Sequence, residues 1–424
     1  MRVDKLCIIA HPYDEILWGG INLSLQTGWM VICATHENDF RSKEFKKTMS
    51  YCAVTKWEMY NVKDINKEDT EVFENSVFEK RLKTLSTKKW KLVLTHNNEG
   101  EYGHKKINEL VSKYFKDCKY FSVGSKLSKK DISYKIDSLQ FYKNTQNICK
   151  KLYEKKENLL RQVEQDLFFK EKKYLEYDKK IPLMIHQIWF GNKIDKTSVR
   201  YRLMQLVEDV AKKNGFDYKL WKNSDLTFDN FPITFDYIQT SIEIGESFEQ
   251  SRFAQVADLA RYEIMHKYGG VYLDSLFEIS PKFCEYIQKH NHKDIIVANE
   301  DPCGLDCNSG GKYYMSNGFF ACIPGCPLLR RILSKKSLDS IDFKSVYINQ
   351  QTGPYYFRKS LLKNNKVHVI DTKLIYPFMV NESRYRDHVK TNPCFDKDGK
   401  KLDCLKMYNS LAVYHSGFGG SWSW

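Results

Sequence analysis

Residues 255–278 read QVADLARYEIMHKYGGVYLDSLFE, a helix-like stretch joined through two glycines to a strand-like run. In the helix-like part, Asp258 and Arg261 lie three residues apart, so a carboxylate and a guanidinium share one face. The apolar residues recur at near-helical spacing, at Val256, Leu259, Ala260 and Ile264. The pattern therefore predicts a helix with an apolar face toward the core and a polar pair on another face.

The second part of this stretch predicts a turn and a short buried strand. Gly269 and Gly270 can adopt the positive-φ backbone that ends a helix, and residues 271–273 have the β-branched and aromatic character of a strand. Asp274 follows directly, at the position where an α/β fold places its ligands. A divalent cation held there by carboxylates can neutralise a diphosphate leaving group. Asp274 is therefore a candidate metal ligand.

Four other segments accompany this stretch. They are IPLMIHQIWFG at 181–191, YKLW at 218–221, SNGFFACIPGCPLL at 316–329 with TGP at 352–354, and HSGFGGSW at 415–422. In combination, residues 181–424 resemble the DXD-motif glycosyltransferases of the outer-chain mannosyltransferase type (glycosyltransferase family 32). The resemblance implies a GT-A-type nucleotide-sugar transferase domain.

The same resemblance implies roles for individual residues. Trp189 would stack on the nucleotide base, and Asp258 would hydrogen-bond hydroxyls of the ribose or the donor sugar. Arg261 would meet the sugar or phosphate with its planar donor fork, and Asn317 would bind the transferred sugar. Residues 421 and 422 would close over the donor. The implied nucleotide-sugar-binding set is Trp189, Asp258, Arg261, Asn317, Ser421 and Trp422, and the implied catalytic set is Asp274, Arg261 and Asn317.

The metal-binding part of the pattern departs from the family. The resemblance implies that Asp274 and His415 hold Mn²⁺ or Mg²⁺, but the family's second acid is replaced by Leu276. Because a strand alternates its faces, Asp274, Leu276 and Glu278 would line one side, which makes Glu278 a candidate replacement ligand. The competing explanation is a domain that has lost metal-dependent turnover but still binds a sugar nucleotide.

A second pattern lies near the N-terminus. The apolar run at 5–10 leads into HPYDE at 11–15, a second strand-like run follows at 29–35, and another at 90–95 leads into HNNEGEYGHKKI at 96–107. This order predicts the start of a Rossmann-like sheet, with His11 and Asp14 at the carboxyl end of the first strand. These segments resemble the PIG-L/LmbE de-N-acetylases, which are zinc enzymes with "AHPDDE" and "EGEYGHPQH" motifs.

The resemblance implies a vestigial deacetylase site of His11, Tyr13, Asp14 and His104. His11 and Asp14 occupy two zinc-ligand positions, and His104 matches the histidine that stabilises the oxyanion. Tyr13 occupies the position of the carboxylate base, and Ile107 that of the third zinc ligand. Tyrosine titrates far above neutrality and isoleucine binds no metal, which argues against bound zinc and deacetylase activity. Rescue by another residue, such as His96 or Asp39, stays open.

Length and composition predict a two-domain α/β protein. The chain has 424 residues, which exceeds the usual size of a domain with a single core. Its hydrophobic content of 42% is sufficient for well-packed globular domains. We assign residues 1–127 to a deacetylase-like domain and residues 181–424 to the transferase domain. Residues 128–180 are rich in charges and carry leucines at mostly helical spacing. They predict a helical connector that packs on one of the domains.

Charge and cysteine content narrow the protein class. The formal net charge is +14, but the lysines are spread along the chain, which favours a solvated surface over nucleic-acid binding. No apolar run approaches the about 20 residues of a membrane span, and no signal-peptide pattern occurs. The 12 cysteines form no CxxC pair. We therefore expect a cytoplasmic protein with mostly free thiols, although Cys394 and Cys404 could pair in an oxidising compartment.

Three functional interpretations follow. The first is a retaining glycosyltransferase of hexosyltransferase type, which moves a sugar from a UDP- or GDP-sugar to a glycan or glycoconjugate acceptor. The second is a bifunctional N-acetyl-sugar deacetylase and glycosyltransferase. The third is a catalytically inactive scaffold that binds sugar nucleotides. We favour the first because most of the implied donor-site residues are present in matching order.

Overall fold

The computed structural model describes the residues 3–25, 27–63, 76–98, 102–121, 135, 137–142, 144–145, 180–191, 193–244, 251–301, 314–342, 348–361, 367–377 and 403–415. The chain divides into two compact units, Met1–Asp178 and Lys179–Trp424. Each unit contains a β-sheet together with several helices.

The first unit contains a five-stranded parallel sheet. Its strands are β1 (Lys5–Ile9), β2 (Trp29–Cys33), β3 (Lys56–Met59), β4 (Leu92–Thr95) and β5 (Lys119–Tyr120). Its helices are α1 (Asp14–Leu25), α2 (Phe40–Tyr51), α3 (Val77–Ser86) and α4 (Tyr102–Tyr114). The strand order is β3-β2-β1-β4-β5, and every neighbouring pair is parallel. The strands predicted near residues 5–10, 29–35 and 90–95 are thus confirmed as central strands of one sheet.

Both faces of this sheet are buried. Cys7 and Ile9 of β1 belong to one apolar cluster, whereas Leu6 and Ile8 belong to another. This alternation follows from the period of two in a strand, and burial on both faces is typical of parallel sheets. Because β1 and β4 are adjacent and parallel, the residues that follow them lie at the same edge of the sheet.

Short described stretches of the predicted connector pack on the first unit. Leu139 and Tyr142 belong to its apolar core. The Tyr142 hydroxyl donates to the Glu15 carboxylate at 2.6 Å, and the Lys135 ammonium donates to the carbonyl of Leu17 at 2.7 Å. The rest of residues 128–180, apart from Lys180, lies outside the described residues, so the extent of the connector stays a prediction.

The second unit contains a mixed sheet and a small two-stranded one. Its strands are β6 (Met184–Trp189), β7 (Asp217–Lys222), β8 (Gly270–Leu273), β9 (Phe277–Ile279), β10 (Ile295–Asp301), β11 (Tyr314–Cys322), β12 (Val367–Ile370) and β13 (Ala412–Tyr414). Its helices are α5 (Val199–Lys213), α6 (Phe235–Ile244), α7 (Ser251–Tyr268), α8 (Pro281–His290), α9 (Pro327–Ile332), α10 (Lys335–Leu338), α11 (Ile348–Gln351), α12 (Pro354–Leu361), α13 (Thr372–Ile375) and α14 (Cys404–Met407).

The larger sheet has the strand order β12-β10-β11-β8-β6-β7. Strand β11 is antiparallel to both of its neighbours, and all other adjacent pairs are parallel. Strands β9 and β13 form a separate antiparallel pair. The carboxyl ends of β6 and β8 therefore lie side by side, next to the amino-terminal half of β11.

The helix and the glycine turn predicted from residues 255–270 are confirmed. Helix α7 ends at Tyr268, and Gly269 and Gly270 have φ values of 63° and 96°. A Cβ atom at Gly269 would lie 2.6 Å from Pro324, and one at Gly270 would lie 2.5 Å from the Met184 carbonyl oxygen. Both the backbone conformation and the close packing therefore require glycine at these two positions.

The continuous strand expected through residue 278 is interrupted. Strand β8 ends at Leu273, and a turn over 274–276 follows, in which the Phe277 amide donates to the Asp274 carbonyl at 3.2 Å. Strand β9 then begins and pairs with β13 rather than with the larger sheet. The expectation that Asp274 and Glu278 lie on one strand is therefore wrong.

Within the described ranges, no helix is both long and apolar enough to cross a bilayer. In the part of the chain that the structure describes, the buried cysteines outside a disulfide are Cys7, Cys33, Cys52, Cys118, Cys284, Cys322 and Cys326. Cys404 is disulfide-bonded. Cys394, its expected partner, lies outside the described residues.

Candidate functional site

The candidate transferase site lies where β8 ends. Asp274 follows β8, and its backbone amide donates to the carbonyl of Gly318 in β11 at 2.8 Å. Its Oδ1 accepts a hydrogen bond from the Tyr272 hydroxyl at 2.8 Å and lies 3.4 Å from Nη1 of Arg261. A Cβ atom at Gly318 would lie 2.8 Å from Oδ2 of Asp274, so a larger residue there would force the carboxylate to move. The side chain of Asp274 is 27% exposed, so it can contact a ligand.

Arg261 connects the acids of this site. Its Nη2 lies 3.1 Å from Oδ1 of Asp258, and its Nη1 donates to the backbone carbonyl of Asn317 at 2.7 Å. The guanidinium carbon lies 4.6 Å from the ring centre of Tyr272. Burial disfavours the charged form of Arg261. The negative charges of Asp274 and Asp258 outweigh this effect and raise the pKa of the guanidinium. The site therefore contains a fixed and permanent positive charge.

Asp258 is fully buried beneath this charge. Its Oδ1 accepts from the Asn317 amide at 2.8 Å, and its Oδ2 accepts from the Thr352 hydroxyl at 2.9 Å. Burial raises the pKa of Asp258 to about 6, although the positive charge of Arg261 opposes the shift. These contacts let Asp258 orient Arg261 and Asn317. Its contact with donor hydroxyls stays a prediction.

Asn317 is held from several sides in β11. Its side-chain amide also donates to the hydroxyl of Tyr262 at 2.9 Å, and that hydroxyl donates to the Thr352 carbonyl at 2.7 Å. The sequence did not single out Tyr262, Tyr272 or Thr352 as site residues. The TGP segment at 352–354 was the available signal for Thr352.

Trp189 ends β6 on the side of the sheet that faces Asp274. Gln187, two residues earlier and hence on the same face, donates from Nε2 to the Asp274 carbonyl at 3.0 Å. Trp189 is half-buried, and the guanidinium carbon of Arg200 lies 4.9 Å from its ring centre. Burial lowers the pKa of Arg200, and Tyr414 and Asp274 act against this shift. Arg200, which the sequence did not reveal, is therefore a second cation near the site.

The predicted metal ligands are only partly brought together. His415 is buried, and its Nε2 lies 3.0 Å from Oε2 of Glu278. Among the described residues, Asp274, Glu278 and His415 do not form a three-residue group with ligand atoms within 4.8 Å of one another. Leu276 is buried. Asp274 is thus the carboxylate at the end of β8, and Glu278 contacts His415. Ser421 and Trp422 lie outside the described residues.

The first unit contains a second cluster of polar residues, at the carboxyl ends of β1 and β4. Oδ2 of Asp14 lies 3.3 Å from Nδ1 of His11, 3.4 Å from Nε2 of His96 and 3.2 Å from Nε2 of His104. The His11 amide donates to the same oxygen at 2.9 Å. Burial alone would raise the pKa of Asp14, but the imidazoles around it hold this pKa well below its usual range.

The two departures from the deacetylase pattern lie beside this cluster. Tyr13 has a φ of 83°, and its ring packs edge-on against Tyr142 at 6.4 Å. Ile107 is fully buried in the apolar core. The side chains of His11, Asp14 and His104 nevertheless have ligand atoms that all lie within 4.8 Å of one another. The sequence argued against a metal here, whereas the geometry provides a possible His/Asp metal site.

Residues 194–292 match the family described as "Glycosyltransferase sugar-binding region containing DXD motif". This span includes α7, the glycine turn and Asp274, whereas Trp189 and Asn317 lie outside it. The second unit therefore contains a region that matches the sugar-binding region of the DXD-motif glycosyltransferases.

Two curated relatives come from Acanthamoeba polyphaga mimivirus. An uncharacterized protein is 34% identical, with 26% of this chain and 57% of the relative covered. This chain therefore spans little more than half the length of that relative. An uncharacterized glycosyltransferase is 26% identical, with 46% of this chain and 73% of the relative covered.

Two solved structures have low overall similarity to this chain. The PaToxG glycosyltransferase has a TM-score of 0.31 and 16% identity, and the match covers 55% of this chain and 87% of that one. The N,N'-diacetylchitobiose deacetylase from Pyrococcus horikoshii has a TM-score of 0.25 and 14% identity, and the match covers 33% of this chain and 70% of that one. The similarity to glycosyltransferases therefore rests on the family match and on the mimivirus glycosyltransferase.

Proposed function

We propose that this protein is a glycosyltransferase that moves a hexosyl group from a UDP- or GDP-sugar to a glycan or glycoconjugate acceptor. The observation that carries the proposal is the buried Arg261, which contacts Asp258, Asp274 and the Asn317 carbonyl. A guanidinium fixed in this way presents its charge without reorganisation when a diphosphate leaving group develops negative charge. Retention of configuration is part of the proposal and comes from the family resemblance.

The half-buried Trp189 supports a donor site that extends along the edge of the sheet. Its flat ring offers an apolar surface for a nucleotide base, as expected from the sequence. Arg200 beside this ring is suited to the phosphates or ribose between the base and the sugar. In this arrangement Asn317 lies at the opposite end of the donor, where the transferred sugar would bind.

We further propose that Asp274 binds Mn²⁺ or Mg²⁺ together with the donor. Magnesium typically keeps several water ligands and uses one or two carboxylates plus substrate phosphates, so one protein carboxylate is a workable set. The partly exposed Asp274 fits this role, whereas the buried Leu276 cannot contribute. When bound, the cation would neutralise charge on the leaving diphosphate.

The proposal is tested by slow donor hydrolysis without an acceptor. The purified chain is incubated with UDP- and GDP-sugars in the presence of Mn²⁺, Mg²⁺ or a chelator, and nucleotide release is followed by chromatography. We expect one donor to be hydrolysed with metal, and Asp274→Asn to lose this activity. Asp217→Asn is the matched control, because Asp217 is exposed at the amino end of β7, away from the site, and it should retain activity.

The other outcomes separate the remaining interpretations. Thermal stabilisation by a donor without hydrolysis, even when candidate glycan acceptors are added, would favour the sugar-nucleotide-binding scaffold. The absence of both hydrolysis and stabilisation would contradict the transferase proposal. Equal activity in Asp274→Asn and the wild type would remove Asp274 from the site.

A further inference from the structure

We infer that the first unit binds a divalent cation of the zinc class through His11, Asp14 and His104. This inference does not depend on the transferase proposal, because it concerns other residues in the other unit. Nδ1 of His11 and Nε2 of His104 approach the same oxygen of Asp14, at 3.3 and 3.2 Å. All three side chains are buried, and their ligand atoms lie within 4.8 Å of one another. Imidazole and carboxylate ligands, three in number, are typical of zinc sites with an open coordination position.

This ligand set differs from the one that the deacetylase resemblance implied. There the third ligand would stand at Ile107, which is buried among apolar residues. His104 lies three residues earlier on α4, about one helical turn, and its Nε2 points to Asp14. Within the described residues, this nitrogen makes no hydrogen bond of acceptable geometry. The ring nitrogen of His104 and the carboxylate oxygen of Asp14, 3.2 Å apart, are at a separation that a shared cation can bridge.

His96 is close to Asp14 but has a different role. Its Nε2 accepts a hydrogen bond from the Ala10 amide at 3.1 Å, so the lone pair that would bind a metal is occupied. Its ring stacks on that of His104, with 4.1 Å between ring centres and 5° between planes. His96 is therefore a positioning residue for His104, as is common around metal sites.

Gly103 provides the space for His11. A Cβ atom at this position would lie 3.2 Å from Cε1 of His11. The absence of a side chain lets the imidazole approach the first turn of α4, which also carries His104. Asp14 is 1% exposed, so the groups around it must compensate its negative charge, because an uncompensated buried carboxylate is costly. A divalent cation between these three side chains meets that requirement.

The test uses the full chain, stripped with a chelator and dialysed against zinc. Bound zinc is measured by atomic emission, and affinity by competition with a chromogenic chelator. We expect about one tightly bound zinc per chain in the wild type and in Asp274→Asn, and its loss in His104→Ala and Asp14→Asn. His368→Ala is the matched control, because His368 belongs to a histidine group with His290 in the second unit. Zinc that survives both first-unit substitutions, or that is lost in His368→Ala, would overturn the inference.

A gentler substitution separates metal binding from folding. Alanine is favoured over glycine within helices by about 1 kcal/mol, so Gly103→Ala should not weaken α4. It should displace the His11 ring and lower zinc affinity by about tenfold or more, as changes beside metal ligands commonly do. The expected signature is weaker zinc binding at an unchanged or higher melting temperature of the metal-free protein. Wild-type zinc affinity in this variant would contradict the placement of His11 in the site.

Discussion

At the scale of single residues, the transferase site depends on the shape of Arg261. Its guanidinium is shared between the Asp258 and Asp274 carboxylates and the Asn317 carbonyl. A lysine ammonium is a compact point charge, and it cannot reproduce this planar fork. The charge could be conserved in such a variant while the orientation of the surrounding groups would be lost.

We therefore expect Arg261→Lys to lower kcat/KM for donor hydrolysis by about 10- to 100-fold, because hydrogen bonds to charged groups contribute about 1.5–3 kcal/mol. Steady-state kinetics with the donor found in the hydrolysis screen would measure this loss. Arg331→Lys is the matched control, since Arg331 is exposed on α9. Similar kinetics in Arg261→Lys and Arg331→Lys would show that the fork is not required.

The sequence predicted part of this set of contacts around Arg261. Asp258 and Arg261 are three residues apart on one helix, so helical geometry alone places them on a common face. The contact of Asp258 with Thr352 joins residues 94 positions apart, and that with Asn317 joins residues 59 positions apart. Such pairs meet only through the packing of α7 against the sheet and the segment before α12. No local pattern could have supplied them.

At the scale of elements, the turn after β8 explains the main error of the sequence-based expectation. The sequence analysis extended the strand period of two past Leu273, which placed Asp274, Leu276 and Glu278 on one face of a continuous strand. Asp274 and Ser275 are, however, residue types that favour turns. The turn sends the chain from the large sheet to the β9–β13 pair, so Glu278 contacts His415. The turn signal was present in the sequence, but the strand was assumed to continue through it.

The glycine turn before β8 is braced by a neutral histidine. His186 in β6 accepts a hydrogen bond at Nδ1 from the Trp221 indole at 3.3 Å, so its Nε2–H is free to donate to the Gly269 carbonyl at 3.1 Å. Burial lowers the pKa of His186 to about 4. The folded state therefore binds fewer protons than the unfolded state between about pH 4 and the ordinary histidine pKa of about 6.5.

Because the folded state binds fewer protons, we expect the free energy of unfolding to fall as the pH falls from about 6.5 to 4. The contribution of His186 to this fall is on the order of 3 kcal/mol. Urea unfolding of the wild type and of His186→Gln across this range would measure the effect. The variant should be less stable near neutral pH, and its stability should depend less on pH. An unchanged pH slope in the variant would assign the dependence to other groups.

At the scale of the whole molecule, the two units carry candidate sites for different ligands. A ligand that binds only the folded state at 100 times its Kd stabilises that state by about 2.7 kcal/mol, which slows hydrogen exchange through unfolding by about 100-fold. With donor and Mn²⁺ present, we expect slower exchange in peptides from α7, β8 and β11. With zinc present, we expect slower exchange in peptides from β1 and α4. Mass spectrometry of the full chain resolves these regions.

Paired variants make this mapping decisive. Asp274→Asn should remove the protection by donor and retain that by zinc, whereas His104→Ala should do the reverse. The reason is that each substitution removes a contact to one ligand and leaves the other site intact. Donor-dependent protection of β1 and α4 in place of α7 and β8 would instead assign sugar-nucleotide binding to the first unit. That result would contradict the transferase site proposed around Arg261 and Asp274.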